Sequence, residues 1–162
     1  MQITEFHTVF PDLLHIFSDR DLLHFTDLEY CDSVENQWLR QWVESSERIS
    51  WCAYEQADFV GFVSAHLVEK HKTASITIVV LEQFQHKGYG ESMLKYALTC
   101  LFAMGYVRIE AQICTENNAS VQLFESLDFT CEGRLRKNFL IDGILRDSFL
   151  YAKIAESNEN KS

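Results

Sequence analysis

Residues Leu81 to Leu94 read LEQFQHKGYGESML, a polar stretch between the apolar run ASITIVV (residues 74–80) and a helix-like segment. The chain has six glycines, and Gly88 and Gly90 fall here, one residue apart. Glycine lets a backbone take positive φ or approach a ligand closely, where a side chain forbids both. At a strand-to-helix junction that freedom lets several N–H groups converge on an anion, and the helix N-terminus adds roughly half a positive charge. Lys87 beside them supplies a point charge suited to phosphate. The implied ligand is a pyrophosphate.

Three patterns compete for that ligand. The P-loop pattern GxxxxGK[ST] is absent. The dinucleotide fingerprint GxGxxG is half filled by Gly88 and Gly90, and Glu110 stands at about the spacing of a ribose-binding acid, but Met93 occupies the third glycine. The pattern Q-x-x-G-x-G is filled completely, by Gln85, Gly88 and Gly90.

Working outward, ISWCAYE and DFVGFVSAHLV read as strands joined by the short QAD, and ASITIVVL as a third strand. A helix is expected from about Gly90 to Met104 with Leu94, Leu98, Leu101 and Phe102 on one face. YVRIEAQI reads as a fourth strand, NASVQLFESL as a helix, and FTCEGRLRKNFL and ILRDSFLYAKI as a closing hairpin around IDG. Upstream, VFPDLLHIFSD reads as a short helix after Pro11. SVENQWLRQWVES reads as a second helix, with Ser33 as N-cap and Val34, Trp38, Leu39, Trp42 and Val43 on one face. The expected architecture is α/β, a single domain over residues 1–155 with a mixed, mostly antiparallel sheet flanked by helices, and a disordered tail at 156–162.

Bulk properties restrict the function. The chain has 162 residues, 47% hydrophobic and 13% aromatic, enough for one domain with a sizeable core. Its net charge of −10 argues against nucleic acid and is compatible with a cationic acceptor or with solubility alone. No apolar run is long enough for a bilayer, and the N-terminus lacks signal-peptide features. Five cysteines without CxxC spacing point to buried thiols in a reducing cytoplasm, with no metal or disulfide expected.

VVLEQFQHKGYGESML followed by NNASVQLFESLDF resembles the GNAT superfamily of acetyl-CoA-dependent N-acetyltransferases. CEGRLRKNFLIDGILRDSFLYAKI is similar to its branch of ribosomal-protein N-terminal acetyltransferases. The resemblance covers Ile49 to Ile154. It implies direct acetyl transfer to a primary amine in a ternary complex, the acceptor being a small molecule or peptide: a protein N-terminus, a polyamine or an amino-sugar nucleotide. The protein would act as a monomer or homodimer. It further implies that the backbone of Ile78, Val79 and Val80 pairs with the pantetheine arm of acetyl-CoA, as an added strand would. The segment His86, Lys87, Gly88, Tyr89, Gly90 and Glu91 would hold the diphosphate, with Ser92 capping nearby and Asn117 touching the pantetheine. Asn117 also suits a helix N-cap.

The chemistry requires a neutral amine to attack a thioester, so a proton must leave the amine and another must reach the departing thiolate. Many family members use a tyrosine as that acid; the matching residue is Phe124, which has no proton to give. The ribosomal branch carries a serine three residues after the asparagine, and Ser120 matches it. The candidate base is Glu110, directly or through water; it shares a strand face with Gln112, and its alternative is to face solvent or pair with an arginine. A carboxylate that follows EGxL in some ribosomal relatives falls at Phe139. His66 with Ser64, and Tyr151 with Asp147, are further pocket candidates. A second reading of the whole, which the missing tyrosine permits, is a catalytically weak CoA-binding sensor.

Overall fold

The computed structural model describes residues 1–157. Its centre is built by three strands rich in β-branched and aromatic residues: β2 (Arg48–Glu55), β3 (Asp58–Val68) and β4 (Thr73–Val80), each antiparallel to the next. The chain then crosses through α4 (Tyr89–Ala103) to β5 (Arg108–Cys114), which runs parallel to β4. After α5 (Asn118–Ser126), β6 (Thr130–Ile141) and β7 (Ile144–Ile154) close the sheet as a hairpin. Its turn places Asp142 and Gly143 at φ 51° and 74°, the left-handed pair that matches strand twist. The seven strands take the order β1-β2-β3-β4-β5-β7-β6, mixed and mostly antiparallel as the sequence implies.

Elements upstream of β2 differ from expectation. β1 (Gln2–Phe6) pairs with β2 at the sheet edge; in QITEF only Phe6 is buried, so no inward-facing pattern announces it. The first expected helix is a 3-10 turn at Pro11–Leu13 followed by one α turn, α1 (Leu14–Phe17). A further turn, α2 (Arg20–Leu23), starts where Asp19 accepts hydrogen bonds from the amides of Asp21 and Leu22. The next helix, α3 (Gln37–Glu44), is capped by Asn36, whose side chain accepts from the Leu39 amide at 3.1 Å. Ser33, the expected cap, instead accepts from the Glu35 amide within a turn, and Val34 stays outside the helix. The competing acceptor closer to the apolar face wins. On α3, Leu39 and Val43 are buried, while Trp38 and Trp42 pack at the margin.

The sheet separates two apolar layers. On one face Met93, Leu94, Ala97 and Leu101 of α4 pack with Val63, Ala65 and Ile109; on the other, Phe17, Leu39 and Phe62 join α1 and α3. Gly61 lets β3 close on the end of β4, because a Cβ there would lie 2.2 Å from the Val79 carbonyl oxygen. That contact holds the strand end from which the glycine loop departs. Among the described residues no helix is long and apolar enough to cross a membrane. Residues 158–162, most of the expected tail, lie outside the described residues.

Candidate active site

β4 and β5 pair only at Thr73–Arg108, Ala74–Ile109 and Ser75–Glu110. Beyond Ser75 they diverge, because β5 stays hydrogen-bonded to β7 along its length, to Cys114. The divergence leaves a narrow cavity of about 70 Å³ between Ile76, Thr77 and Ile78 on one side and Ala111, Gln112 and Ile113 on the other. Phe124 forms its floor; the ring is buried and meets Phe129 edge-on at 4.9 Å. A wider cleft of about 600 Å³ continues from it along Ile78, Val79 and Val80 to the glycine loop.

Hydrogen bonds fix the loop in shape. The Gln85 amide nitrogen donates to the Val80 carbonyl at 2.9 Å, tying the loop to the strand end. His86 and Gly88 both take positive φ, 58° and 84°, and turn the chain into α4. The first intrahelical bond runs from Ser92 N–H to Gly88 C=O, so the amides of Tyr89, Gly90 and Glu91 have no helical acceptor. A Cβ on Gly90 would lie 3.3 Å from Leu123 and 3.8 Å from both Ile78 and Val80, so the glycine lets the helix start press against the cleft walls. A fifteen-residue helix thus aims unpaired N–H groups along the cleft edge.

The expected cofactor residues divide. Ile78, Val79, Val80, His86, Gly88, Gly90, Glu91 and Asn117 line the cleft. Lys87, Tyr89 and Ser92 do not. Lys87 donates to the Gln83 carbonyl at 2.6 Å, and the Tyr89 ring packs edge-on against Phe84. Asn117 caps α5, accepting from the Ser120 amide at 3.2 Å, and borders both cavities. Ser120 borders both as well, and its hydroxyl makes no hydrogen bond among the described residues.

Glu110 sits at the vertex of the divergence and does not line the cavity. It accepts from Arg108 Nε at 3.1 Å and from Ser75 Oγ at 3.3 Å. Arg108 in turn holds Glu132 through two bonds of 3.0 and 2.5 Å; these bonds raise the guanidinium pKa and lower that of Glu132. Gln112, on the same strand face, does reach the cavity and accepts from Asn138 at 2.7 Å. Phe139, where some ribosomal relatives have a carboxylate, is cavity wall.

The remaining pocket candidates lie elsewhere. His66 is half-buried beside Glu47 at 3.7 Å, and Ser64 is buried against Ser50 at 2.8 Å. Tyr151 is buried and donates to Glu125 at 2.8 Å; burial first, then that carboxylate, pushes its pKa up to about 12. Asp147 accepts from the Lys137 amide and from Arg134, which hold its carboxyl below the usual range.

Sequence reasoning missed Asp27, which with Phe25 and Thr26 borders the cavity from the α2–α3 connection. Thr26 fixes that segment, its hydroxyl donating to the Leu23 carbonyl at 2.9 Å and accepting from the Leu28 amide at 3.2 Å. No periodicity marks such a residue, since only tertiary folding carries it across to β4 and β5.

A strand end at Ile78–Val80 left without a β5 partner, followed by a glycine loop that feeds a helix, is what the family resemblance implies. The family model described as the acetyltransferase (GNAT) family matches residues 10–129. The chain belongs to the GNAT acetyltransferase family.

Its GNAT relatives include an uncharacterised N-acetyltransferase from the SPbeta prophage of Bacillus subtilis (strain 168), 27% identical over 158 residues, 92% of this chain and 88% of that protein. The crystal structure of spermidine N-acetyltransferase from Vibrio cholerae with CoA and spermine is similar with a TM-score of 0.83 at 20% identity, covering 94% and 95% of the two chains. The RimL ribosomal-protein α-N-acetyltransferase in complex with CoA is similar with a TM-score of 0.78 at 23% identity, covering 88% and 85%. The last two likenesses establish the GNAT fold. The family match and the named relatives make the chain an N-acetyltransferase.

Proposed function

We propose that the protein transfers the acetyl group of acetyl-CoA directly to a primary amine, with both substrates bound in the cleft between β4 and β5. The observation that carries this is the continuity of the two cavities. The unpaired α4 amides lie at one end and Ser120, Asn117 and Asp27 at the other, joined by the open edge of β4. The diphosphate would rest on the amides of the His86–Glu91 segment, and the pantetheine would pair with the backbone of Ile78–Val80 as an added strand. CoA complexes of the two solved neighbours support acetyl-CoA as co-substrate, and their polyamine and protein substrates support a primary amine acceptor. The five free cysteines support a reducing, cytoplasmic setting.

In the reaction the amine lone pair attacks the thioester carbonyl carbon, the C–S bond breaks, and the thiolate takes up a proton. The amine gives up its own proton to a carboxylate or to water. Ser120 serves the thiolate as hydrogen-bond donor, because Phe124 has none to offer. Asp27 serves the amine, since it borders the cavity. Glu110, engaged by Arg108, acts on the amine only through water.

Acetyl-CoA should therefore raise thermal stability, and thioester should be consumed with some member of a panel of amines and peptides. Binding without consumption would instead leave a CoA sensor. Ser120→Ala should lower turnover about tenfold to a hundredfold, the worth of one hydrogen bond to a charged group. The cap on α5 survives this change, because it is the Ser120 backbone N–H that donates to Asn117. Acetyl-CoA affinity should then stay constant. Equal losses of affinity and turnover would make Ser120 a part of the binding scaffold.

A further inference from the structure

Arg48, at the start of β2, carries its charge into a half-buried site where no carboxylate is ion-paired with it among the described residues. Its Nη1 donates to Ser64 Oγ at 3.0 Å, and that hydroxyl is itself 2.8 Å from Ser50 Oγ. One face of the guanidinium is covered by the Trp42 ring, 4.3 Å from its centroid. Nε is buried without a hydrogen-bond partner among the described residues. Burial lowers the pKa of this arginine, and the charge of Asp27 is what opposes that shift. A guanidinium has five N–H donors, and among the described residues Nη1 alone is engaged. Removing an unpaired cation from water is expensive, and an aromatic face offsets only part of the cost because it offers no in-plane acceptor. The site has the form of half an ion pair, held rigid by Trp42 and Ser64.

Its position says where the other half comes from. Cross-strand pairing aligns Ser50 with Ser64 and Ser64 with Thr77, one row across β2, β3 and β4. The Arg48 side chain leans onto this row at Ser64; Thr77, the register partner of Ser64, lines the cavity, as does Asp27, and Arg48 lies one strand behind that wall. Thr77 precedes Val80 by three residues, about 10 Å of strand, so the diphosphate loop lies beyond it in the opposite direction. The unpaired charge thus faces the acceptor side.

We propose that Arg48 receives a carboxylate carried by the acceptor, so that the substrate is an amine bearing an acid group, such as an amino acid. This rests on the cleft being the acetyl-transfer site. Asp27, on the cavity wall, takes the ammonium end, and Arg48, behind the Ser64–Thr77 row, takes the carboxylate end. A planar carboxylate matches the fork of a single arginine. A phosphate dianion is less suited here, with Asp27 adjacent. A polyamine brings no anion to the site and sets a further cation beside Arg48.

The test compares kcat/KM, with acetyl-CoA held saturating, across matched acceptors: α-amino acids, their primary amides and amino alcohols, aminophosphonate analogues, and spermidine. The acids should exceed their amides by about tenfold to a hundredfold, as for a hydrogen-bonded charge, with the difference in acceptor KM. Arg48→Met, of similar length and uncharged, should bring that ratio close to one and leave acetyl-CoA affinity unchanged. Its thermal stability should match or exceed that of the wild type, because an unpaired buried charge has been removed. Arg48→Lys keeps the charge without the fork and should give an intermediate ratio. A wild-type ratio near one, a ratio unaltered in Arg48→Met, or a preference for the phosphonates or spermidine would overturn the proposal while transfer itself stands. Absence of acetyl-CoA binding in the wild type would overturn the cleft reading, and this inference with it.

Discussion

Gly88→Val should abolish the stabilisation that acetyl-CoA confers. At a hundredfold excess over its dissociation constant, a ligand raises folding stability by about 2.7 kcal/mol, and the variant should show almost none of it. Gly88 holds φ at 84°, a conformation that a β-branched residue adopts only at a cost of roughly 1–3 kcal/mol. A Cβ there meets nothing within 4 Å, so the fold tolerates the side chain while the loop does not keep its turn. The amides of Tyr89, Gly90 and Glu91 then no longer converge. Gly90→Val should act by a different route, forcing Leu123 off the cleft wall. Differential scanning fluorimetry with and without acetyl-CoA, alongside circular dichroism to confirm folding, reads both. If each variant keeps the wild-type shift, the diphosphate is held elsewhere.

Asp27→Asn should lower turnover by about 10²–10⁴-fold, the usual contribution of a positioned general base. The substitution keeps size and hydrogen bonding but cannot accept a proton. The acceptor nitrogen, with an ordinary pKa of roughly 10, is increasingly neutral as pH rises, so high pH should partly rescue the variant. The bound amine and thioester would still be held together, and some activity should survive. Glu110→Gln should cost much less, because Arg108 keeps its two bonds to Glu132 and the cavity wall is untouched. Steady-state rates of both variants across pH separate the two carboxylates. A larger loss in Glu110→Gln, with wild-type behaviour in Asp27→Asn, would make Glu110 the base acting through water.

Local pattern made the catalytic half of the chain legible. Strand alternation, a glycine pair and a turn dipeptide are short-range signals, and β2 to β7 with α4 and α5 follow them closely. Asn117 was readable as a helix cap, and its side chain does accept from the Ser120 amide, whereas Ser120 was named through the family resemblance alone. The N-terminal elements were not, since QITEF gains its strand only by pairing with β2. Asp27 and Arg48 were invisible for the same reason: Asp27 borders a cavity made by β4 and β5, and Arg48 is set by Ser64 of the next strand as well as by Trp42. Glu110 shows what alternation leaves out. It tells which face a side chain takes but not at which end of a divergence it lies. Arg108, two residues earlier on the same face, was the available sign of an ion pair.

Three residue pairs hold β4 to β5, and this seam is also where the cleft lies. The seam is braced at its closed end, where the Lys72 carbonyl accepts from the Val107 and Arg108 amides and Tyr106 donates to Glu69, and one apolar layer under α4 runs across it from Val63 to Tyr151. A pantetheine strand bound along β4, with its thioester reaching α5, would span the seam and lend the sheet the backbone partners it lacks. The co-substrate would then serve as a temporary structural member, completing an edge of the sheet that the protein alone leaves open.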